Sequence, residues 1–172
     1  MKRAEALTVT DELTDLYNSR YLNISLRREV KRALRSARPL SLLFIDLDGF
    51  KGINDTHGHL SGSRALVEAA AVIRGSARET DVVARFGGDE FAVILPETGR
   101  DGAIMVAERI RERIAAHSFL AADHLEVRLT ASVGIATLPD VAASADELVQ
   151  AADRAMYKVK MSGKNGIHLA SD

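Results

Sequence analysis

The chain has 172 residues, of which 47% are hydrophobic and none is cysteine, and its formal net charge is −1. This length predicts one domain with a substantial core, and the lack of cysteine excludes disulfides and thiolate metal sites. No apolar run is long enough to span a membrane and no signal peptide is visible, so we expect a cytoplasmic protein. The net charge argues against general nucleic-acid binding.

The first part of the chain predicts helices around one buried strand. Residues 1–9 look like the end of an upstream linker helix, and residues 10–172 make up the domain. A helix over Arg20–Ala37, ended by Pro39, precedes an apolar strand over Leu40–Leu47 that we expect to be buried on both faces.

The rest of the chain alternates helices with strands. The pattern predicts a short helical turn at Phe50–Asp55, helices over Gly62–Ala77, Arg100–His117 and Ala145–Met161, and strands over Val82–Ala84, Phe91–Leu95, Val127–Thr137 and Ile167–Leu169. Interleaved helices and strands indicate the α/β class.

The first long helix is strongly basic. Its cations lie at helical spacing at Arg27, Arg28, Lys31, Arg32, Arg35 and Arg38. We interpret them as a solvated helix face, with contact to a membrane surface or to phosphate as the alternative.

A pair of glycines, Gly87-Gly88, separates two strand-like runs and is followed directly by Asp89 and Glu90. Glycine adopts positive φ without steric cost, so the pair predicts a tight hairpin turn. A hairpin tip presents its side chains, so the two carboxylates are candidates for chemistry.

A second acidic segment lies at the C-terminal end of the buried strand. Asp46 and Asp48 lie at its exit and share one face if the strand continues that far. Taken alone, this segment also fits an ordinary strand-end turn. Two acidic strand ends side by side would form a hard-oxygen site suited to Mg²⁺ carrying a triphosphate.

Several segments in matched order resemble the GGDEF family, the nucleotide cyclases that make cyclic di-GMP. The resemblance covers roughly residues 10–167, and it is carried by Asp11–Asn18, Lys51–His59, Gly87–Phe91 and Ala152–Asn165. It implies a single nucleotide-cyclase-like domain with a central, mostly antiparallel sheet surrounded by helices. Asp15 stands where the family usually has glycine.

The resemblance implies a metal site and its catalytic residues. The side chains of Asp46 and Asp89 and the backbone carbonyl of Leu47 would hold two Mg²⁺ or Mn²⁺ ions per active site. Asp89, Glu90 and Lys160 would be the catalytic residues. Because side chains alternate along a strand, Asp89 and Glu90 are not expected to face one ion equally, and we favour Asp89.

The resemblance also implies a nucleotide site. The backbone around Gly49, Phe50 and Lys51 would wrap the triphosphate, and Asn54 would contact the base edge. Lys160 and Lys164 would contact phosphates, although the family commonly has arginine at the second position. If the resemblance is set aside, the interpretation is that these lysines are cations placed favourably at the C-terminus of a helix.

The segment Arg78-Glu79-Thr80-Asp81 fits the family's inhibitory R-x-x-D site, at which a cyclic dinucleotide product binds. Arg109 stands where the family has a second arginine of that site. A helix-end salt bridge is the structural alternative for such a pair.

Ser63 departs from the family pattern, because an aspartate that reads guanine is expected there. An ionised carboxylate only accepts hydrogen bonds, whereas a hydroxyl both donates and accepts. Ser63 is thus similar to the hybrid promiscuous branch of the family, whose members make cyclic GMP-AMP from GTP and ATP.

The main hypothesis is therefore a homodimeric dinucleotide cyclase that uses GTP and ATP. The first alternative is an ordinary diguanylate cyclase that makes only cyclic di-GMP. A degenerate receptor for cyclic di-GMP and a pure dimerisation module are the others, but neither needs the retained acids. We expect an upstream sensory domain outside this chain.

Overall fold

The computed structural model describes residues 8–171. The helices are α1 (Ser19–Ser36), α2 (Phe50–His57), α3 (His59–Gly75), α4 (Arg100–Ala116) and α5 (Ala145–Met161), with a 3₁₀ turn at Ala121–Asp123. The strands are β1 (Leu40–Asp48), β2 (Val82–Gly87), β3 (Glu90–Pro96), β4 (Thr130–Leu138) and β5 (Gly166–Leu169).

The five strands form one sheet in the order β2-β3-β1-β4-β5. β1 is antiparallel to β3 and β4, β2 is antiparallel to β3, and only β5 runs parallel to its neighbour β4. This confirms the predicted mostly antiparallel sheet. β1 lies at its centre, which explains why eight of its nine residues are buried.

Helices cover both faces of the sheet. On one face, Leu43 and Val93 belong to a core with α3 and α4; on the other, Leu42 and Phe44 pack with α1 and α5. Alternate residues of each strand point to opposite faces. Asp46 and Asp48 continue the even-numbered series of β1, which places them on the face covered by α5.

Gly134 in β4 lets α5 lie close to the sheet. A Cβ at this position would lie 2.2 Å from the backbone oxygen of Ala152 and 2.3 Å from the backbone nitrogen of Met156. Only glycine allows this approach, so any side chain at position 134 would push α5 away. This close packing determines how near the C-terminal end of α5, which carries Lys160, lies to the end of β1.

The predicted elements are present with shifted ends. The predicted strand Val127–Thr137 was wrong at its start: β4 begins at Thr130, and Val127 pairs instead with Phe119 in an isolated bridge. Asp15 adopts φ +64°, the left-handed conformation for which glycine is the usual residue. Of the predicted linker helix over residues 1–9, residues 1–7 lie outside the described residues. None of the described helices is long and apolar enough to cross a membrane.

Candidate active site

The site forms where the end of β1 meets the tip of the β2–β3 hairpin. Register places Asp46 directly opposite Glu90 across the β1–β3 pair. The backbone N–H of Leu47 donates to the carbonyl oxygen of Asp89 at 3.2 Å, which fixes the hairpin tip against β1. Like charges directly opposite each other destabilise a sheet, so this arrangement is unfavourable unless a cation lies nearby.

Among the described residues, Asp46 holds the one buried carboxylate oxygen that lacks a hydrogen-bond partner. Its Oδ2 lies 3.2 Å from the Lys160 ammonium, whereas its buried Oδ1 has no hydrogen-bond partner among the described residues. Burial, and then the charge of Asp89, raise the pKa of Asp46 above its usual range despite Lys160. A buried oxygen without a donor is costly, and a cation would satisfy it.

Glu90 shares this environment. Burial, followed by the charges of Asp46, Asp89 and Asp153, raises the pKa of Glu90. Asp89 lies in the turn just before β3, so it escapes strand alternation and acts electrostatically on both other carboxylates. The predicted preference for Asp89 over Glu90 stays a prediction, but register gives Glu90 the position facing Asp46.

Asp48 lies two residues from Asp46 on the same face of β1, yet both of its carboxylate oxygens are hydrogen-bonded. Its carboxylate accepts hydrogen bonds from Lys160 Nζ at 2.7 Å, Thr130 Oγ1 at 2.7 Å, Ser132 Oγ at 2.8 Å and the Asn165 backbone N–H at 3.0 Å. Burial alone would raise the pKa of Asp48, but these hydrogen bonds outweigh it and lower the pKa. Sequence reasoning paired the two aspartates and missed this difference.

The residues fit a divalent cation. No three His, Cys, Asp or Glu side chains within residues 8–171 already converge in metal-ligand geometry. However, the unpartnered Oδ1 of Asp46, the facing Glu90 and the adjacent Asp89 offer the hard oxygen donors that Mg²⁺ and Mn²⁺ prefer. The excess of carboxylates over the single Lys160 leaves negative charge that such an ion would neutralise.

The predicted triphosphate loop follows β1 directly. Gly49 adopts φ +84° and precedes α2, and its carbonyl oxygen accepts from the Gly52 N–H at 3.1 Å. Lys51 is exposed, whereas Phe50 packs partly against the core. This loop therefore lies at the same end of the sheet as the acidic cluster, which consists of Asp46, Asp48, Asp89 and Glu90.

The two predicted base-contacting residues lie on neighbouring helices. Asn54 on α2 places its Oδ1 against Gly62 of α3, where a Cβ would come within 1.9 Å of that oxygen. Ser63 is the next residue along α3; it is half-buried and lines a cavity of about 400 Å³ with Leu13, Leu60 and other residues. Gly62 therefore allows α2 and α3 to bring Asn54 close to the turn that carries Ser63.

Lys160 and Lys164 approach the site from the end of α5. Lys160 bridges Asp46 and Asp48, and these carboxylates raise its pKa above the usual value although burial opposes the shift. Lys164 is exposed in the following turn, with φ +65°. The structure thus places both predicted phosphate-binding cations at the acidic cluster or in the turn beside it.

The predicted inhibitory residues lie away from this site: Arg78 and Asp81 follow the end of α3, and Arg109 lies on α4. The Arg78 guanidinium donates to Asp81 Oδ1 at 3.1 Å and to Thr98 Oγ1 at 2.8 Å, and the Asp81 side chain is fully buried. Arg109 donates to the carbonyl oxygen of Ser76 at 2.8 Å. Arg78 and Asp81 line a cavity of about 400 Å³ together with Arg74, a cation that sequence reasoning missed.

The chain is similar to curated relatives, one of which is named a diguanylate cyclase. The chain is 40% identical over 162 residues to the response regulator PleD of Caulobacter vibrioides and 39% identical over 162 residues to the diguanylate cyclase DosC of Escherichia coli. These matches cover 94% and 92% of the chain but only 36% and 34% of the relatives. The chain therefore spans about a third of the length of these relatives.

Solved structures of GGDEF domains have the same fold. The GGDEF domain of YfiN from Pseudomonas aeruginosa superposes with a TM-score of 0.89 at 38% identity, covering 94% of each chain. DgcB of Caulobacter crescentus, solved as coiled coil and GGDEF domain in complex with c-di-GMP, gives a TM-score of 0.90 at 29% identity, covering 98% of this chain and 89% of that one. The model of the family described as diguanylate cyclase, GGDEF domain, matches residues 8–166, and the chain belongs to the GGDEF family.

Proposed function

We propose that this chain condenses two GTP molecules into cyclic di-GMP and releases pyrophosphate. The observation that carries the proposal is the unpartnered buried Oδ1 of Asp46, a residue that the β1–β3 register pairs with Glu90 at the hairpin tip. An active metal-dependent enzyme needs such an incomplete acidic site, whereas a receptor or a dimerisation module does not. The relatives named diguanylate cyclases support GTP as the substrate and favour this activity over mixed use of GTP and ATP.

Asp46 and Asp89, with the carbonyl of Leu47, would hold Mg²⁺ or Mn²⁺, two per site. When bound, the metal supplies Lewis-acid stabilisation of the phosphates and lowers the pKa of a hydroxyl that attacks phosphorus. Lys160 adds a fixed positive charge that Asp48 keeps at the end of β1. Glu90 lies across from Asp46, where it supports the acidic site or accepts the proton of the attacking 3′-hydroxyl.

The reaction needs two protomers. Each protomer would hold one GTP, and each 3′-hydroxyl would attack the α-phosphate of the GTP on the partner. Two new phosphodiester bonds form, and each attack releases one pyrophosphate. The proposed active state is therefore a homodimer in which each protomer binds one GTP near the paired ends of β1 and β3.

Asp89→Ala tests this function. The substitution removes a predicted metal ligand from a partly exposed turn, not core volume, so we expect product formation to fall at least about a hundredfold while the melting temperature changes little. Product is measured by mass spectrometry after incubation with GTP and Mg²⁺. Asp101→Ala, which removes an exposed acid in the first turn of α4, is the matched control. Turnover by Asp89→Ala equal to the control would contradict the assignment.

A second candidate function is the joint use of GTP and ATP, and Ser63 favours it. A hydroxyl at this position does not repel the acceptor ring nitrogen of adenine as a carboxylate would. Asn54 does not exclude either base, because its amide both donates and accepts. Cyclic GMP-AMP would then form alongside cyclic di-GMP.

We also propose product inhibition at Arg78, Asp81 and Arg109. Arg78→Ala is expected to raise the inhibition constant for cyclic di-GMP about tenfold or more, since it removes a charge-assisted hydrogen-bond donor from the cavity. Activity without added product should change less than twofold. Glu79→Ala, an acid lining the same cavity, is the control and should not weaken inhibition. Equal inhibition of wild type and Arg78→Ala would rule out this site.

A further inference from the structure

Asp48 has no lone pair left for a metal ion. Its Oδ1 accepts from Ser132 Oγ and Lys160 Nζ, and its Oδ2 accepts from Thr130 Oγ1 and the Asn165 backbone N–H, at 2.7 to 3.0 Å. The side chain is 5% exposed. Although it lies two residues from Asp46, its geometry is that of a structural anchor and not of a ligand.

The first group that this anchor holds is the Lys160 ammonium. Lys160 lies 2.7 Å from Asp48 and 3.2 Å from Asp46, so the fully bonded Asp48 is its shorter contact. If Asp46 turns its oxygens to a metal ion, Asp48 still keeps the lysine in place. Lys160 then presents its charge at the same point with and without metal.

The second group is the turn that carries Lys164. Gly163, Lys164 and Asn165 have φ of +116°, +65° and +48°, so two consecutive non-glycine residues lie in the left-handed region. That conformation is unfavourable for a side chain such as lysine and persists only when other contacts impose it. The hydrogen bond from the Asn165 N–H to Asp48 ties the turn to β1.

A side-chain contact from α4 supports the same turn. Arg111 donates to Asn165 Oδ1 at 3.0 Å, and the Lys164 N–H donates to the carbonyl oxygen of Val159 at 2.9 Å. Neither contact reaches Lys160. Among the described residues, Asp48 alone hydrogen-bonds both to Lys160 and to the turn of Lys164.

We infer that Asp48 is a positioning residue that fixes both phosphate-contacting lysines, Lys160 directly and Lys164 through the turn. This inference rests on the proposed function, since it takes the triphosphate of GTP as the group the two lysines meet. Asp48 itself touches neither substrate nor metal. It sets the distance between two cations that must contact one triphosphate together.

The test compares Asp48→Asn with Thr130→Val. Asparagine keeps the size but replaces an acceptor oxygen with an NH₂ group, so Lys160 or the Asn165 N–H loses its partner. Thr130→Val removes a different donor to the same carboxylate and leaves the hydrogen bonds of Asp48 with Lys160 and with the Asn165 N–H intact. We expect both variants to melt at lower temperature, but only Asp48→Asn to raise the Kd for GTP, by about tenfold or more. The Thr130→Val value should stay within twofold of wild type.

The Kd is measured by isothermal titration with Mg²⁺ and 3′-deoxy-GTP, which lacks the attacking hydroxyl and so binds without reacting, at a temperature at which each variant is folded. An unchanged Kd in Asp48→Asn, or equal increases in both variants, would reduce Asp48 to a structural role and overturn the inference. If Asp48→Asn does not fold, Asp48→Glu replaces it, since its carboxylate is displaced by one methylene. A Kd at least threefold higher is then expected, and an unchanged Kd overturns the inference.

The readout also separates this inference from the proposed function. Wild-type protein that binds GTP but makes no dinucleotide would refute the function and leave the positioning role testable by Kd. Wild-type protein that binds neither GTP nor tripolyphosphate would refute both, because the lysines would then have no phosphate to meet.

Discussion

Asp46→Asn is expected to stabilise the protein and to inactivate it at the same time. The raised pKa of Asp46 shows that its ionised form is disfavoured in the folded state, first by burial and then by Asp89. Removing this charge relieves the repulsion at neutral pH, while Lys160 keeps Asp48 as its partner. We expect a gain of about 1 kcal/mol, seen as a melting temperature about 2–4 °C higher. Activity should fall at least about a hundredfold because a proposed metal-binding oxygen is lost.

The pH dependence of this gain has a fixed sign. A carboxyl whose folded pKa lies above its unfolded value holds its proton more tightly when folded, so its contribution to stability is present at low pH and lost as the pH rises. The difference in melting temperature between Asp46→Asn and wild type should therefore vanish below the unfolded pKa, about pH 4, and be full at neutral pH. Asp48→Asn is the matched contrast, since the lowered pKa of Asp48 predicts destabilisation at neutral pH.

Calorimetry with and without Mg²⁺ completes this test. Mg²⁺ should raise the melting temperature of the wild type and leave Asp46→Asn unchanged, because a ligand stabilises only the state that binds it. Asp46→Asn protein that melts below the wild type at neutral pH, or that retains full activity, would contradict the assignment of Asp46.

Ser63→Asp tests the second candidate function, the joint use of GTP and ATP. If Ser63 admits adenine, the wild type given equimolar GTP and ATP forms cyclic GMP-AMP alongside cyclic di-GMP. The restored carboxylate repels the acceptor nitrogen of adenine and accepts from guanine, so adenine incorporation should fall about tenfold or more. Ser61→Asp, the same substitution two residues earlier on α3, is the control and should leave the ratio unchanged.

The wild-type product decides between the two candidate substrates. Mass spectrometry separates cyclic GMP-AMP from cyclic di-GMP in one sample. Cyclic di-GMP as the sole product of the wild type would exclude the use of ATP and leave the GTP-only function standing. Equal effects of Ser63→Asp and Ser61→Asp would show that position 63 does not read the base.

The sequence predicted the fold well where local patterns are strong. The apolar run of β1, the Gly87-Gly88 turn and the helical pattern of α5 are local signals, and each element appears near its predicted position. The start of β4 was wrong because Val127 and Leu129 continue the alternating pattern of the strand. Val127 pairs with Phe119, and a partner of this kind depends on tertiary contacts that no local pattern contains.

The difference between Asp46 and Asp48 could not be predicted from spacing. Both lie on one face of β1, and only the β1–β4 register and the close approach of α5 surround Asp48 with donors. One signal was present in the sequence: Thr130 and Ser132 are polar side chains at alternate positions at the start of a mostly apolar strand. Polar side chains at alternate positions of a buried strand need a buried partner, and Asp48 provides it.

The most direct test of the account is product formation by the wild-type chain from GTP alone. Protein shown to be dimeric by light scattering is incubated with GTP, with Mg²⁺ or with EDTA, and the products are identified by mass spectrometry. The account predicts cyclic di-GMP and two pyrophosphates per dinucleotide with Mg²⁺, and no product with EDTA. Dimeric protein that forms no dinucleotide with Mg²⁺, or equal amounts in EDTA, would contradict it.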